Sequence, residues 1–260
     1  MNDSPVIDVQ KRPAATGGTV HAFFLFVFVC GWTVFTGTWV LLCVLFNAQH
    51  GCRRGYTMFA RGIMAASGVR TIVTFQAPLD PNRAYVFLSN HQSALDIPIL
   101  MNACLPAFNV RFLAKESLFK LPFMGWAMSR TGYIPIRREN PRHSAEQFQQ
   151  ISKTPAKIPY SYIIFPEGTR SPEGRLQPFK KGSIGLALRM GLPVVPVSLI
   201  DACRANPKGK FAVRSGTVRV VFHAPIELPP TEGPNRENRD ALEQQVYAAV
   251  LSALPDDQRP

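Results

Sequence analysis

Short apolar runs rich in β-branched and aromatic residues alternate with helix-like segments over residues 70–260. The β-rich runs are Thr71–Gln76, Ala84–Ser89, Val110–Ala114, Tyr133–Arg137, Ser161–Phe165, Val194–Leu199 and Thr217–Phe222. The helix-like segments are Ile97–Leu105, Phe123–Thr131, Arg142–Ser152, Lys181–Met190 and Arg236–Leu254. This alternation predicts an α/β fold with a mixed, mostly parallel sheet of about seven strands flanked by helices.

One long apolar stretch, Ala22–Phe46, precedes this domain and contains no charged residue. At about 1.5 Å per residue, a helix of this length can cross a hydrocarbon core of about 30 Å. A cleaved signal peptide and a buried core helix are the alternatives, but the apolar core of a signal peptide is shorter, about 7–15 residues. The stretch therefore predicts membrane association, either as a single span or as a re-entrant hairpin.

Residues Arg53–Val69 mix basic and apolar positions at helical spacing. They predict either an interfacial helix on anionic lipid or a surface helix packed on the domain. We expect a tail over residues 1–21, membrane-associated helices over residues 22–69 and the main domain over residues 70–260. Basic residues are denser after the apolar stretch than before it, which favours a main domain that faces the cytoplasm.

The composition excludes a disordered chain and raises the question of an anionic partner. Hydrophobic residues make up 46% and charged residues 18%, and 29 Lys and Arg against 17 Asp and Glu give a net charge of +12. Nucleic acid, an anionic membrane and a phosphorylated substrate would all suit this charge. No run of five like charges, zinc-finger spacing or RNA-binding aromatic motif occurs, which disfavours nucleic acid. The 5 cysteines are irregularly spaced, which favours a reducing compartment over a disulfide framework.

His91 and Asp96 follow directly after the β-rich run Ala84–Ser89. Five residues apart, they would not share a helix face, but in a strand-to-helix turn the carboxylate can fold back onto the imidazole. A carboxylate on one ring nitrogen fixes the tautomer and leaves the other nitrogen free as a base. A histidine with a purely structural hydrogen bond is the alternative. No GxSxG elbow is present, so the sequence does not indicate a covalent acyl-enzyme.

A second candidate site is the sequence FPEGTR, residues Phe165–Arg170, which also follows a β-rich run. Gly168 allows a tight turn with exposed N–H groups, Thr169 can donate a hydrogen bond, and Arg170 can bind phosphate through two donors. Glu167 can orient a basic side chain or cap the turn. A surface turn with an ion pair is the alternative.

Further cations and an apolar strand complete the candidate set. The sequence GYIPIRR, Gly132–Arg138, ends in two arginines, and side-chain alternation along a strand places Arg137 and Arg138 on opposite faces. Lys115 follows another β-rich run and can supply a point charge. The run Gly191–Leu199 either lines a pocket or forms sheet core.

Four blocks in chain order resemble the glycerolipid acyltransferase family typified by lysophosphatidic acid acyltransferase. NHQSALD is similar to the family's NHxxxxD block, GYIPIRR to the second block, FPEGTR to the third and LPVVPVS to the fourth. The segment AKESLFKLPFMGWAM is also similar, and the resemblance covers about residues 53–225.

The resemblance implies a role for each matching residue. His91 would be the general base and Asp96 its orienting carboxylate, Lys115 and Arg138 would bind the acceptor phosphate, and Pro193 would lie near the acyl-donor pocket. The residues expected around the glycerol phosphate are Glu167, Gly168, Thr169 and Arg170.

The resemblance also implies the reaction and its partners. A fatty acyl group would pass from acyl-CoA or acyl carrier protein, the co-substrate, to the sn-2 hydroxyl of lysophosphatidic acid, giving phosphatidic acid for phospholipid synthesis. No cofactor, metal or nucleic acid is expected, and the partners are the lysophospholipid and an anionic membrane of the bacterial inner-membrane type. Another acceptor (a lyso-ornithine lipid, another lysophospholipid or glycerol 3-phosphate) and a non-enzymatic lipid-binding protein remain alternatives.

Overall fold

The computed structural model describes residues 19–47, 49–136, 146, 160–209, 212–228 and 235–260. Two helices lead into the sheet, α1 (Thr19–Leu45) and α2 (Gln49–Ser67). The remaining elements are, in chain order, β1 (Val69–Phe75), β2 (Val86–Ser89), α3 (Asp96–Cys104), β3 (Val110–Lys115), α4 (Met124–Arg130), β4 (Ile134–Ile136), β5 (Ser161–Ile164), α5 (Lys181–Met190), β6 (Val194–Ile200), α6 (Ala202–Ala205), β7 (Gly216–Phe222) and α7 (Arg236–Ala253). Short 3₁₀ helices cover Glu116–Lys120 and Asp256–Gln258.

The seven strands form one sheet in the order β1-β7-β6-β2-β5-β3-β4. Every neighbouring pair is parallel except β6 and β7, which are antiparallel. The predicted fold class is therefore confirmed, and each β-rich run corresponds to one of these strands. The predicted helix Arg142–Ser152 lies outside the described residues, apart from residue 146.

Each face of the sheet is covered by helices, because the central strands are apolar on both sides. The four residues of β2 and the four residues of β5 are all buried. One core lies between the sheet and helices α2 and α3, and the other lies between the sheet and helices α5 and α7. Because β2, β5 and β3 are parallel neighbours, their carboxyl ends lie together at one edge of the sheet, which is where ligands bind in open α/β sheets.

Helices α1 and α2 pack closely against each other. The Trp32 Nε1–H donates to the carbonyl of Met58 at 3.1 Å. Tyr56 and Ala60 of α2 point into the domain core. Few side chains of α1 are fully buried, and within the described residues it is the one helix that is long and apolar enough to cross a membrane.

Candidate active site

The turn between β2 and α3 is fixed by Asn90. Its side-chain Nδ2 donates to the Leu199 carbonyl at 2.8 Å, and its Oδ1 accepts the Leu199 N–H at 2.7 Å. These two bonds tie the turn to β6, the neighbouring strand. His91 is therefore held just beyond the carboxyl edge of the sheet.

His91 and Asp96 form a hydrogen-bonded pair at this edge. The His91 Nδ1 lies 2.7 Å from Asp96 Oδ2, which also accepts the backbone N–H groups of Gln92 at 2.6 Å and Ser93 at 2.9 Å. Asp96 is fully buried at the start of α3, whereas the His91 side chain remains 18% exposed. Among the described residues no group hydrogen-bonds His91 Nε2. With Nδ1–H donated to the carboxylate, Nε2 carries the free lone pair of a base.

The FPEGTR loop after β5 supports His91 from the other side. Glu167 Oε1 accepts the His91 backbone N–H at 2.9 Å, and the Ser171 N–H donates to the His91 carbonyl at 2.8 Å. The Phe165 ring stacks on the imidazole, with centroids 4.0 Å apart. The structure thus brings together two sequence blocks that are separated by about seventy residues.

Glu167 faces the backbone of His91 and is only 2% exposed. Burial raises the pKa of its carboxyl group to about 8, against the opposing effect of the His91 N–H bond. Its Oε2 is buried with no hydrogen-bond partner among the described residues. This geometry makes Glu167 a support for His91, a contact that the spacing of the sequence did not indicate.

Gly168 begins the exposed part of the loop with φ of 71°. A Cβ at this position would lie 3.0–3.1 Å from the Lys180 side chain, so the lysine stem passes directly over the glycine. Thr169 and Arg170 follow and are partly exposed. The sequence predicts Lys180 as a nearby positive charge, and the structure places its side chain against Gly168 of this loop. The bonds from Glu167 and Ser171 to the His91 backbone bring the loop itself next to His91.

The other sequence-selected residues differ in their positions. Lys115 is exposed at the carboxyl end of β3, at the same edge of the sheet as His91. Arg138 lies outside the described residues. Pro193 is buried before β6, where its carbonyl accepts the Val86 N–H at 2.9 Å. At about 3.3 Å per residue, the length of β2 separates Pro193 from the His91 edge by about 15 Å, so the structure does not bring these two residues together.

Two buried glutamines adjoin the site and were not selected from the sequence. Gln92 Nε2 donates to the Gly174 carbonyl at 2.8 Å and to Gln258 Oε1 at 3.0 Å. Gln258 Nε2 in turn donates to Asp201 Oδ1 at 2.8 Å. No local pattern signals this network, because Gln92 and Gln258 are 166 residues apart. Within the described residues, no group of three His, Cys, Asp or Glu side chains could hold a metal ion.

Comparison with known proteins identifies relatives of this site and fold. The acyltransferase family model matches residues 70–200. A 1-acyl-sn-glycerol-3-phosphate acyltransferase of Chlamydomonas reinhardtii is 32% identical over 96% of this chain and 74% of its own length. The chloroplastic 1-acyl-sn-glycerol-3-phosphate acyltransferase BAT2 of Brassica napus is 40% identical over 54% of this chain, and the match spans 40% of that relative's length.

The fold also has a counterpart among crystal structures. The 1-acyl-sn-glycerophosphate acyltransferase PlsC of Thermotoga maritima superposes with a TM-score of 0.70 and 25% identity, over 89% of this chain and 92% of that chain. The chain therefore belongs to the acyltransferase family that includes the 1-acyl-sn-glycerol-3-phosphate acyltransferases.

Proposed function

We propose that this chain is a membrane-bound 1-acylglycerol-3-phosphate O-acyltransferase. It moves a fatty acyl group from acyl-CoA or acyl carrier protein to the sn-2 hydroxyl of lysophosphatidic acid and so produces phosphatidic acid. The observation that carries the proposal is the pairing of His91 Nδ1 with the buried Asp96 carboxylate at 2.7 Å, which leaves Nε2 free on the exposed side.

The reaction follows from this pair. His91 Nε2 takes the proton of the sn-2 hydroxyl while the oxygen attacks the thioester carbonyl carbon. Collapse of the tetrahedral intermediate breaks the C–S bond, and the leaving thiolate receives the proton from Nε2. Asp96 keeps the imidazole in the required tautomer and stabilises the transient imidazolium.

Cations at the same edge suit the phosphate of the acceptor. Lys115 and Arg170 supply charge from two neighbouring strands, and we assign Arg138 to the same phosphate. Gly168 and Thr169 approach the glycerol phosphate through their loop. Glu167 keeps this loop and His91 together, and Pro193 stays a predicted donor-side residue.

Membrane attachment is assigned to residues 22–69, ahead of the catalytic domain at residues 70–260. The first helix supplies an exposed apolar surface. The second adds a groove of about 540 Å³ whose lining includes Arg53, Arg54 and Arg61. Such a groove suits anionic headgroups on the cytoplasmic side of a membrane.

Acyl transfer by purified protein tests the proposal. Wild-type protein should acylate lysophosphatidic acid from a panel of acyl-CoA and acyl carrier protein donors. His91→Ala should lower kcat by about 10²–10⁴-fold, since general base catalysis typically supplies this factor. The matched control is Asp240→Asn, an exposed carboxylate on α7, which should keep full activity.

One control and two results decide whether the proposal stands. An unchanged thermal midpoint in His91→Ala would show that the loss is chemical. Equal turnover of wild type and His91→Ala would refute the role of the pair. Equal rates on acceptors with and without a phosphate would refute the choice of lysophosphatidic acid.

A further inference from the structure

We infer that the catalytic domain docks on the lipid bilayer through an apolar patch formed by Leu118, Leu121 and Trp126. The patch would hold the active-site edge against the leaflet, so that the acceptor lipid reaches His91 without leaving the membrane surface. This inference rests on the proposed membrane association and extends it from the N-terminal helices to the catalytic domain itself.

The three side chains are exposed although they are large and apolar. Leu118 is 39% exposed, Leu121 48% and Trp126 47%. They lie on consecutive turns, because the 3₁₀ helix packs directly on the start of α4. A Cβ at Gly125 would lie only 2.5 Å from the Phe119 carbonyl oxygen and 2.6 Å from that of Leu118. An apolar cluster of this kind marks an interaction surface more often than a scattered single residue does.

The patch continues the apolar surface of α1. A Cβ at Gly37 of α1 would lie 3.1 Å from Met124 N and 3.2 Å from Phe123 Cβ, so α1 and the start of α4 are in direct contact. The Phe123 ring in turn packs against the Trp126 ring, with centroids 5.6 Å apart. A bilayer that accommodates α1 therefore lies close to Trp126 as well.

Cationic residues surround the patch. Lys115 and Lys120 lie at the ends of the 3₁₀ helix, Arg130 ends α4, and all three side chains are exposed. A tryptophan and leucines bordered by Lys and Arg match the composition of surfaces that enter the headgroup region of anionic membranes. The bilayer is therefore a better occupant than an acidic carrier protein, which would pair with the cations but leave the leucines uncovered.

The patch follows β3 directly, and the carboxyl end of β3 lies at the His91 edge of the sheet. Lys115 joins β3 to the 3₁₀ helix at the His91 edge of the sheet. Phe112 of β3 stacks on Phe165 at 6.2 Å, and Phe165 stacks on His91. These contacts connect β3, which leads into the patch, with the loop that supports His91.

Fluorescence of Trp126 tests the contact directly. In full-length protein with Trp32→Phe and Trp39→Phe, vesicles of phosphatidylglycerol and phosphatidylcholine with brominated chains should quench the remaining tryptophan and should shield it from acrylamide. If these two substitutions impair folding, the difference between wild type and Trp126→Phe gives the same measurement. A Trp126 that stays unquenched in vesicle-bound protein would overturn the inference.

Activity on two forms of the acceptor provides a second test. Leu118→Ser with Leu121→Ser should lower the rate on long-chain lysophosphatidic acid in vesicles about tenfold, because buried apolar contact with lipid is lost. The rate on a short-chain, water-soluble lysophosphatidic acid should stay within about twofold. The matched control, Ile72→Ser with Val73→Ser, alters exposed apolar residues on β1 at the other edge of the sheet and should change neither rate.

The outcomes separate this inference from the proposed function. Equal losses on both acceptors would overturn docking and assign the patch to the reaction itself. A loss seen only with acyl carrier protein donors would assign it to that carrier instead. Protein that turns over the soluble acceptor but does not sediment with vesicles would refute membrane attachment and docking while leaving the acyl-transfer chemistry intact.

Discussion

At the scale of single residues, the site depends on the burial of carboxylates that support one histidine. Asp96 is fully buried and accepts three hydrogen bonds through one oxygen, one of them from the imidazole. Glu167 is nearly as buried and accepts the backbone N–H of the same histidine. The histidine is therefore fixed at its ring and at its main chain, which limits the orientations available to Nε2.

Substitutions of Glu167 should separate hydrogen bonding from charge. Glu167→Gln keeps an acceptor for the His91 N–H, so we expect kcat within a few-fold of wild type. Glu167→Leu leaves that buried N–H without an acceptor at a cost of about 1–3 kcal/mol, and we expect kcat to fall about tenfold or more. Kinetics and thermal unfolding of both variants check this, and a Glu167→Gln protein as inactive as Glu167→Leu would show that the acid itself is required.

Glu167 should make the stability of the fold depend on pH. Burial raises the pKa of Glu167 in the folded state to about 8, well above its ordinary value of 4.5, so the folded protein binds more protons between these two pH values. The contribution of Glu167 to the free energy of unfolding is fully present below about pH 4.5 and is lost as the pH rises through about 8. Relative to Glu167→Gln, the thermal midpoint of wild type should therefore fall between about pH 5 and pH 9. A constant difference over this range would contradict the raised pKa.

At the scale of elements, the two N-terminal helices α1 and α2 approach each other closely. Trp32 of α1 lies over Gly62 of α2, where a Cβ would be 2.1 Å from the indole Nε1. Farther along the chain, Asn90 fastens the β2–α3 turn to β6, and Gln258 fastens it to the residues after α7. Contacts between elements, rather than within them, thus position the turn that carries His91.

The glycine under Trp32 gives a test of this packing. Gly62→Ala should displace the indole, break its hydrogen bond to Met58 and destabilise the fold by about 1–3 kcal/mol, as overpacking does. Gly31→Ala, for which no atom lies within 4 Å of the new Cβ, is the matched control in the neighbouring helix. Thermal unfolding in detergent should show a lower midpoint for Gly62→Ala alone, and equal midpoints would contradict the contact.

At the scale of the whole molecule, the excess of positive charge is concentrated in the middle of the sequence. The net charge of +12 is carried by residues 81–215, since the parts before and after them offset each other at +3 and −3. The cations near His91 suit a phosphate headgroup, and those of α2 line a separate groove that also includes Leu105 and Pro106 after α3. The α2 arginines and the cations near His91 therefore form two separate groups in the structure.

Vesicle binding should respond to the α2 groove in a predictable way. Arg54→Gln with Arg61→Gln should weaken binding to phosphatidylglycerol vesicles about 30-fold, at about 1 kcal/mol for each cation near the surface. Binding to neutral phosphatidylcholine vesicles should not change. Arg236→Gln with Arg259→Gln, two exposed arginines elsewhere, is the matched control. A loss of the same size with the control would indicate a general charge effect instead of a groove.

Local sequence patterns were sufficient to predict the seven strands and the contact between His91 and Asp96. Each of the seven strands coincides with one of the β-rich runs of the sequence, and the pair forms within one strand-to-helix turn, where five residues of chain allow the carboxylate to reach the imidazole. The long apolar stretch similarly predicted α1. In each case the determining interactions lie within a few residues of one another, so the sequence by itself contained them.

The tertiary structure alone decided which distant residues meet. In the structure β7 runs antiparallel to β6, and Glu167 accepts the backbone N–H of His91. Lys180 packs over Gly168, and Pro193 lies at the opposite end of the strands from His91. Periodicity along a chain records which side chains are buried but not their partners. Strand order and loop packing select those partners, because most buried polar groups are hydrogen-bonded and the completed fold decides which groups lie within reach.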